Sequence, residues 1–170
     1  DVESVLAWSV LEEVYDGPRW FAYIAALATR AGEGGGKGLA QRLALSGRMA
    51  STVAGARGRL EQLLATVCQK GVAPSEVVAA VERSDRALVT VTMAAAGGRE
   101  RRTLRQALTE WMRTPPPVSG AQLRAAGIKP GPAIGDAVRQ ARAAVLDGKV
   151  QAAGALEYAL GVARGLAGDA

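Results

Sequence analysis

The sequence predicts an all-α protein, a multi-helix body followed by a small helical tail. Apolar residues recur at a helical period nearly throughout the 170 residues, the pattern of amphipathic helices rather than strands. Strand-like alternation is confined to Leu88-Val89-Thr90-Val91-Thr92, and that run is embedded in Ala-rich sequence and reads as a buried helix. Gly and Pro breaks then cut the chain into roughly eight or nine helices.

The breaks set the elements in order. Asp16-Gly17-Pro18 closes the first helix and opens the second. Gly32 to Gly38 reads as a flexible linker. Arg48 to Val67 predicts one helix, with Met49, Val53, Ala56, Leu60, Leu63, Leu64 and Val67 on its core face. Gly71-Val72-Ala73-Pro74 and Gly97-Gly98 bound the following helices. Pro115-Pro116-Pro117 cannot be helix interior and predicts a stiff spacer between a body, residues 1–114, and a tail, residues 118–170, in which Asp147-Gly148 ends a helix.

Composition excludes much chemistry. There is no histidine, which removes histidine general bases, Ser-His-Asp and Cys-His nucleophiles and His-ligated zinc. Cys68 is the one cysteine, so an internal disulfide and thiolate clusters are excluded, and near a helix end it reads as a small structural residue. No apolar run reaches the ~20 residues that span a bilayer, and no secretory signal opens the chain. A reducing cytoplasm suits this cysteine usage. The start on Asp1 reads as a piece cut from a longer protein.

Charge is segregated. Residues 1–33 carry six acidic and two basic side chains, residues 34–72 one and six, and residues 99–129 two and seven. Two basic blocks therefore supply the net charge of +5, which favours a face for a polyanion.

The strongest basic feature is Arg99 to Arg113. On a helical wheel Leu104, Leu108 and Trp111 cluster, while Arg99, Arg102, Arg105 and Arg113 lie broadly opposite. Guanidinium groups on one exposed face offer planar, bidentate donors to phosphates; the plainer alternative is a solvated helix face. Arg42, Arg48, Arg57 and Arg59 form a looser second group. Contacts of this kind release counterions and recognise backbone and shape, not sequence. Trp20, Phe21 and Trp111 read as core rather than as base-stacking platforms.

Gly32-Glu33-Gly34-Gly35-Gly36-Lys37-Gly38 is not a phosphate-binding loop of the Walker type, because Ala31 and Gly38 stand where that loop needs Gly and Ser or Thr. Glu12-Glu13, the only adjacent acidic pair, reads as solvated.

Residues 119–135 are the most informative stretch. Ser119 and Gln122 have capping-box spacing, Gly127 stops the helix, and Pro132 restarts one at its first position. The amides of Ala133, Ile134 and Gly135 are then expected to lack intrahelical acceptors, so an anion there gains hydrogen bonds and a favourable dipole, with Lys129 adding charge. A plain helix-turn-helix corner is the alternative.

The run Ser119-Gly120-x-x-Leu123-x-x-x-Gly127-Ile128-Lys129-Pro130-Gly131-Pro132-x-Ile134-Gly135, followed by Ala144-Val145-Leu146-Asp147-Gly148-Lys149-Val150, resembles the C-terminal signature of bacterial tRNA nucleotidyltransferases and their poly(A) polymerase relatives. Leu39 to Ser46 and Ala73-Pro74-Ser75-Glu76 resemble two upstream helix starts of that family, so the resemblance covers residues 20–165. It implies an all-helical region that holds the tRNA acceptor arm and elbow while a separate catalytic head adds nucleotides. It carries RNA contacts over to Lys129, Gly131 and Gly135 of the hairpin and to Arg99, Arg102, Arg105 and Arg124. The head, with its metal carboxylates, magnesium and ATP or CTP, has no counterpart here: the chain offers neither strand nor Asp-x-Asp pair. The resemblance therefore implies no catalytic residue and no cofactor in this chain. Two other readings stand beside it, a helical module docking an acidic protein and a helix-hairpin-helix DNA binder.

Overall fold

The structure, a computed structural model, describes residues 2–11 and 14–168. It is all-α, 73% helical, with 11 α-helices and no strand among the described residues. In order they are α1 (Val2–Leu11), α2 (Arg19–Arg30), α3 (Gly35–Arg42), α4 (Gly47–Ala54), α5 (Ala56–Cys68), α6 (Pro74–Glu82), α7 (Arg86–Ala95), α8 (Gly98–Gln106), α9 (Gly120–Ala125), α10 (Pro132–Leu146) and α11 (Ala155–Gly168). A π-helical turn, Ala107–Trp111, extends α8, and a 3-10 turn, Ala152–Gly154, precedes α11. Glu12-Glu13 lies outside the described residues.

The chain divides into two compact units. One comprises Asp1–Val72 and Glu76–Glu110, the other Ala73–Ser75 and Trp111–Ala170. The division falls ahead of Pro115-Pro116-Pro117, which are not helical.

In the first unit α7 is the central element. It packs against α1, α2, α5 and α8, and every residue from Ala87 to Met93 is buried. The run Leu88 to Thr92 is thus a helix closed on all sides, which is why it lacks a polar face. Its hydroxyls are satisfied locally, Thr90 Oγ1 donating to the Arg86 carbonyl at 3.0 Å and Thr92 Oγ1 to that of Leu88 at 2.7 Å. Asp85 caps the helix: one carboxylate oxygen accepts from the Ala87 amide at 3.0 Å, the other from Arg48 Nε at 3.0 Å and Thr52 Oγ1 at 3.3 Å. Leu6, Tyr15, Phe21, Val53 and Leu88 join one cluster around it. Burial, with Asp85 and Asp16 nearby, pushes the Tyr15 phenol above its usual pKa.

Four expectations need correction. The expected linker Gly32 to Gly38 is largely helix, because α3 starts at Gly35. A Cβ on Gly36 would stand 2.5 Å from the Val53 carbonyl oxygen and 3.1 Å from that of Ala54, so this segment is pressed against the end of α4. The single helix Arg48 to Val67 is two, broken at Gly55, a residue that costs about 1 kcal/mol in a helix interior. Val53, Ala56, Leu63 and Val67 nevertheless stay buried across the break. The number of helices exceeds the expected eight or nine because of that break and the cap at Asp85. Trp20, expected in the core, is 50% exposed, while Phe21 beside it is buried; the rings meet edge-on, centroids 5.8 Å apart.

The second unit rests on small residues. Ala137, Ala141 and Ala144 recur every three or four residues on α10, and Ala155, Ala159 and Ala163 every four on α11, all buried. Such seams let two helices approach closely. Val118 and Leu123 complete the cluster, with Ile128 and Ile134 against it. Asp147, which follows α10, accepts from the Ser75 amide and hydroxyl, each at 2.9 Å, and from Lys149 Nζ at 3.0 Å. Burial raises the Asp147 pKa, but the Ser75 amide, Lys149 and the Ser75 hydroxyl together outweigh it and hold the carboxyl below its usual value.

Candidate nucleic-acid interface

The hairpin is built by local bonds. The Ser119 hydroxyl accepts from the Gln122 amide at 3.3 Å while Gln122 Oε1 accepts from the Ser119 amide at 2.8 Å, a reciprocal cap on α9. At the other end Gly127 takes φ +88°. Its amide donates to the Arg124 carbonyl at 3.0 Å and that of Ile128 to the Leu123 carbonyl at 3.1 Å. This is the Schellman pattern, whose accompanying apolar contact is supplied by buried Leu123 and half-buried Ile128. Pro132 begins α10 with Gly131 at the cap position and no side chain capping it. Gly120 permits the close seating of the two helices, since a Cβ there would lie 3.1 Å from Ile134 Cγ2.

Anchored by Leu123, Ile128 and Ile134, the hairpin leaves its tip in water. Arg124, Lys129, Pro130 and Gly131 are exposed and Gly135 is half-buried. A Cβ on Gly131 would meet nothing within 4 Å, and one on Gly135 only the Arg139 guanidinium at 3.4 Å. One expectation is corrected: the Ile134 amide is not free, because it donates to the Gly131 carbonyl at 3.2 Å. The tightened first turn leaves fewer donors for an anion than the spacing suggests.

Arg99, Arg102 and Arg105 stand at i, i+3 and i+6 on α8, all exposed, opposite buried Leu104. Their states differ. Arg99 Nη2 donates to the Gln69 carbonyl at 3.2 Å, closing the end of α5. The Arg105 guanidinium lies 5.1 Å from the centroid of the Trp8 ring, within cation–π range. Each keeps unused donors, since a guanidinium carries five N–H groups. Arg101, between them, turns inward and donates to the Met93, Ala94 and Ala96 carbonyls at 2.9, 3.3 and 3.2 Å. The π turn that extends α8 buries Ala107 and Leu108; Trp111 is half-buried.

The α8 arginines thus belong to the first unit, and Arg124, Lys129, Gly131 and Gly135 to the second. Of the looser basic group, Arg48 is paired with Asp85 and Arg57 with Glu61, each at 3.0 Å. Arg142 carries no mark in the sequence; its Nη2 donates to the Trp111 and Met112 carbonyls at 3.3 and 3.1 Å. Nothing local signals such a residue, because its acceptors lie about 30 positions away. Cys68 ends α5 and is exposed rather than packed.

Among the described residues no group of three or more Asp, Glu, Cys or His could hold a metal ion. No described helix is long and apolar enough to cross a membrane. No protein-family model, curated protein or solved structure matches the chain.

Proposed function

We propose that this chain is the tRNA-binding C-terminal region of a nucleotidyltransferase of the CCA-adding and poly(A) polymerase kind, working in the cytoplasm. It holds the acceptor arm and elbow so that the 3′ end reaches a catalytic head elsewhere in the parent chain. Magnesium and ATP or CTP belong to that head, and this region contributes binding rather than chemistry.

The hairpin carries the reading. Its signature Gly and Pro residues coincide with a rigid turn between α9 and α10 that presents Arg124 and Lys129 to solvent beside an uncapped helix start. The exposed arginines of α8 add a second cationic stripe, suited to phosphates because each retains planar donors. Recognition on these terms is by backbone and shape.

The test is binding of a tRNA lacking its terminal residues, followed over a salt series. Affinity should fall linearly on logarithmic axes, and changing Arg99, Arg102 and Arg105 together to Ala should flatten the slope by roughly 2 to 3, about 0.7 to 0.9 for each contact. Circular dichroism should stay helical, since Ala is a good helix former. Unchanged affinity and slope in a folded triple variant would move the reading to a protein-docking module. A preference for duplex DNA over tRNA would move it to a DNA binder.

A further inference from the structure

We propose that a groove between α5 and the end of α6 is a phosphate site held by Arg59 and Arg83. The groove has a volume of about 210 Å³ and is lined from α5 by Arg59, Gln62 and Thr66 over buried Leu63, and from the second side by Arg83 and Ser84. Arg59, Gln62 and Thr66 stand at i, i+3 and i+7, one stripe of a helix. Every lining residue lies in the first unit.

At least eight of the 17 arginines are already used by the fold. Arg19 pairs with Glu3, Arg48 with Asp85, Arg57 with Glu61 and Arg139 with Asp136. Arg99, Arg101 and Arg142 bind backbone carbonyls, and Arg105 lies over Trp8. Arg59 and Arg83 share one groove, no carboxylate lines it, and neither guanidinium has an ion pair or hydrogen bond among the described residues. Glu61, two positions from Arg59, is engaged by Arg57 at 3.0 Å, and Glu82, next to Arg83, does not line the groove.

Gly55 helps hold the arrangement, because a Cβ there would stand 3.2 Å from Arg59 Nε, so the glycine leaves room for the guanidinium. The hydroxyls of Thr66 and Ser84 are spent on the Gln62 and Ala80 carbonyls at 3.1 and 2.8 Å. The donors left are the two guanidinium groups and the Gln62 side-chain amide, which are acceptor-seeking groups of the kind that surround a phosphate. Two arginines and no carboxylate leave the groove with positive charge that an anion offsets. The groove, about 210 Å³, has room for a phosphate group, and the charge and donors of its lining rather than its size favour an anion. That group is either free phosphate or part of a nucleic-acid backbone.

The experiment follows the arginine Nε–Hε signals by NMR while the whole chain is titrated with inorganic phosphate at constant ionic strength. Arg59 and Arg83 should shift saturably, and Arg30 and Arg42 should not. Changing both Arg59 and Arg83 to Ala should weaken phosphate binding at least about tenfold, the loss expected for one charge-assisted hydrogen bond or more. Equal drift of all four signals, or none, overturns the site. A second arm distinguishes the sources. If a tRNA backbone supplies the phosphate, R59A/R83A should flatten the salt slope of tRNA binding by about 1.4 to 1.8; saturable phosphate binding with an unchanged slope supports the site with free phosphate as its source. Failure of the native chain to bind tRNA overturns the function proposed above, and the phosphate titration still decides this site.

Discussion

Two glycine-dense regions of this molecule look alike in sequence and do opposite things. Gly34-Gly35-Gly36 opens α3, and there the absence of a side chain lets α3 press on the carbonyl end of α4, with Gly36 buried. Gly127 to Gly135 forms the hairpin, where a Cβ on Gly127 or Gly131 would meet nothing within 4 Å. Glycine serves close packing at Gly36, backbone conformation at Gly127 and an open approach at Gly131. A phosphate can approach the backbone at Gly131 and not at buried Gly36, so glycine density by itself distinguishes neither a linker nor an anion site.

Gly36→Ala should break the packing half of that comparison, with the largest effect on stability. The new methyl group meets two backbone oxygens, at 2.5 and 3.1 Å, which cannot swing aside as a side chain would. Overpacking costs about 1–3 kcal/mol, and it should exceed the gain of up to about 1 kcal/mol from replacing a helical glycine. The urea midpoint of the first unit should fall. A rise would mean that α3 is not pressed on α4 and that the segment is a linker after all.

Conformation is tested by a pair of opposite changes. The end of α3 repeats the bonding of the hairpin, with the Leu45 amide donating to the Ala40 carbonyl at 3.0 Å and the Ala44 amide to that of Gln41 at 3.0 Å. The left-handed residue there is an alanine, Ala44 at φ +49°, a conformation that costs a residue with a Cβ about 1–2 kcal/mol. Ala44→Gly should therefore stabilise by roughly 0.5–1 kcal/mol, and Gly127→Ala should destabilise by about 1 kcal/mol. Denaturant midpoints read both; shifts of the same sign would sink the assignment of these two turns to one motif.

The legible parts of the sequence are those whose signals are local. The reciprocal cap of Ser119 and Gln122, the stop at Gly127 and the restart at Pro132 each depend on neighbours within a few residues, and all appear in the fold. So does the buried helix through Leu88 to Thr92. What escapes depends on distant partners. Gly36 is explained by Val53, Asp85 by Arg48, and the inward turn of Arg101 by the carbonyl end of α7. Trp20 shows the complementary error, since its large apolar ring reads as core although only its neighbour Phe21 faces inward. The basic stripe of α8 is visible by periodicity, but the division of labour among its arginines is not, because Gln69 and Trp8 come from other parts of the chain. The groove of Arg59 and Arg83 escapes for the same reason, each arginine standing on a different side of it.

The smallest expected change in stability sharpens the comparison most, because it separates binding from folding. Gly135 lies within the first turns of α10, and a methyl group there would meet only the tip of Arg139 at 3.4 Å, a long side chain 74% exposed and able to move. Gly135→Ala should therefore leave the denaturant midpoint unchanged or raise it by up to about 0.5 kcal/mol, as a helical glycine gives way to a better helix former. If a tRNA phosphate approaches this backbone, as proposed, the same methyl group occupies part of its path, and affinity should fall by roughly threefold to tenfold, or about 0.6–1.4 kcal/mol. The salt slope should stay constant, since no charge is removed. Loss of affinity at constant slope and undiminished stability assigns Gly135 to the ligand. Unchanged affinity would remove Gly135 from the interface and leave Arg124 and Lys129 as the contacts of the hairpin.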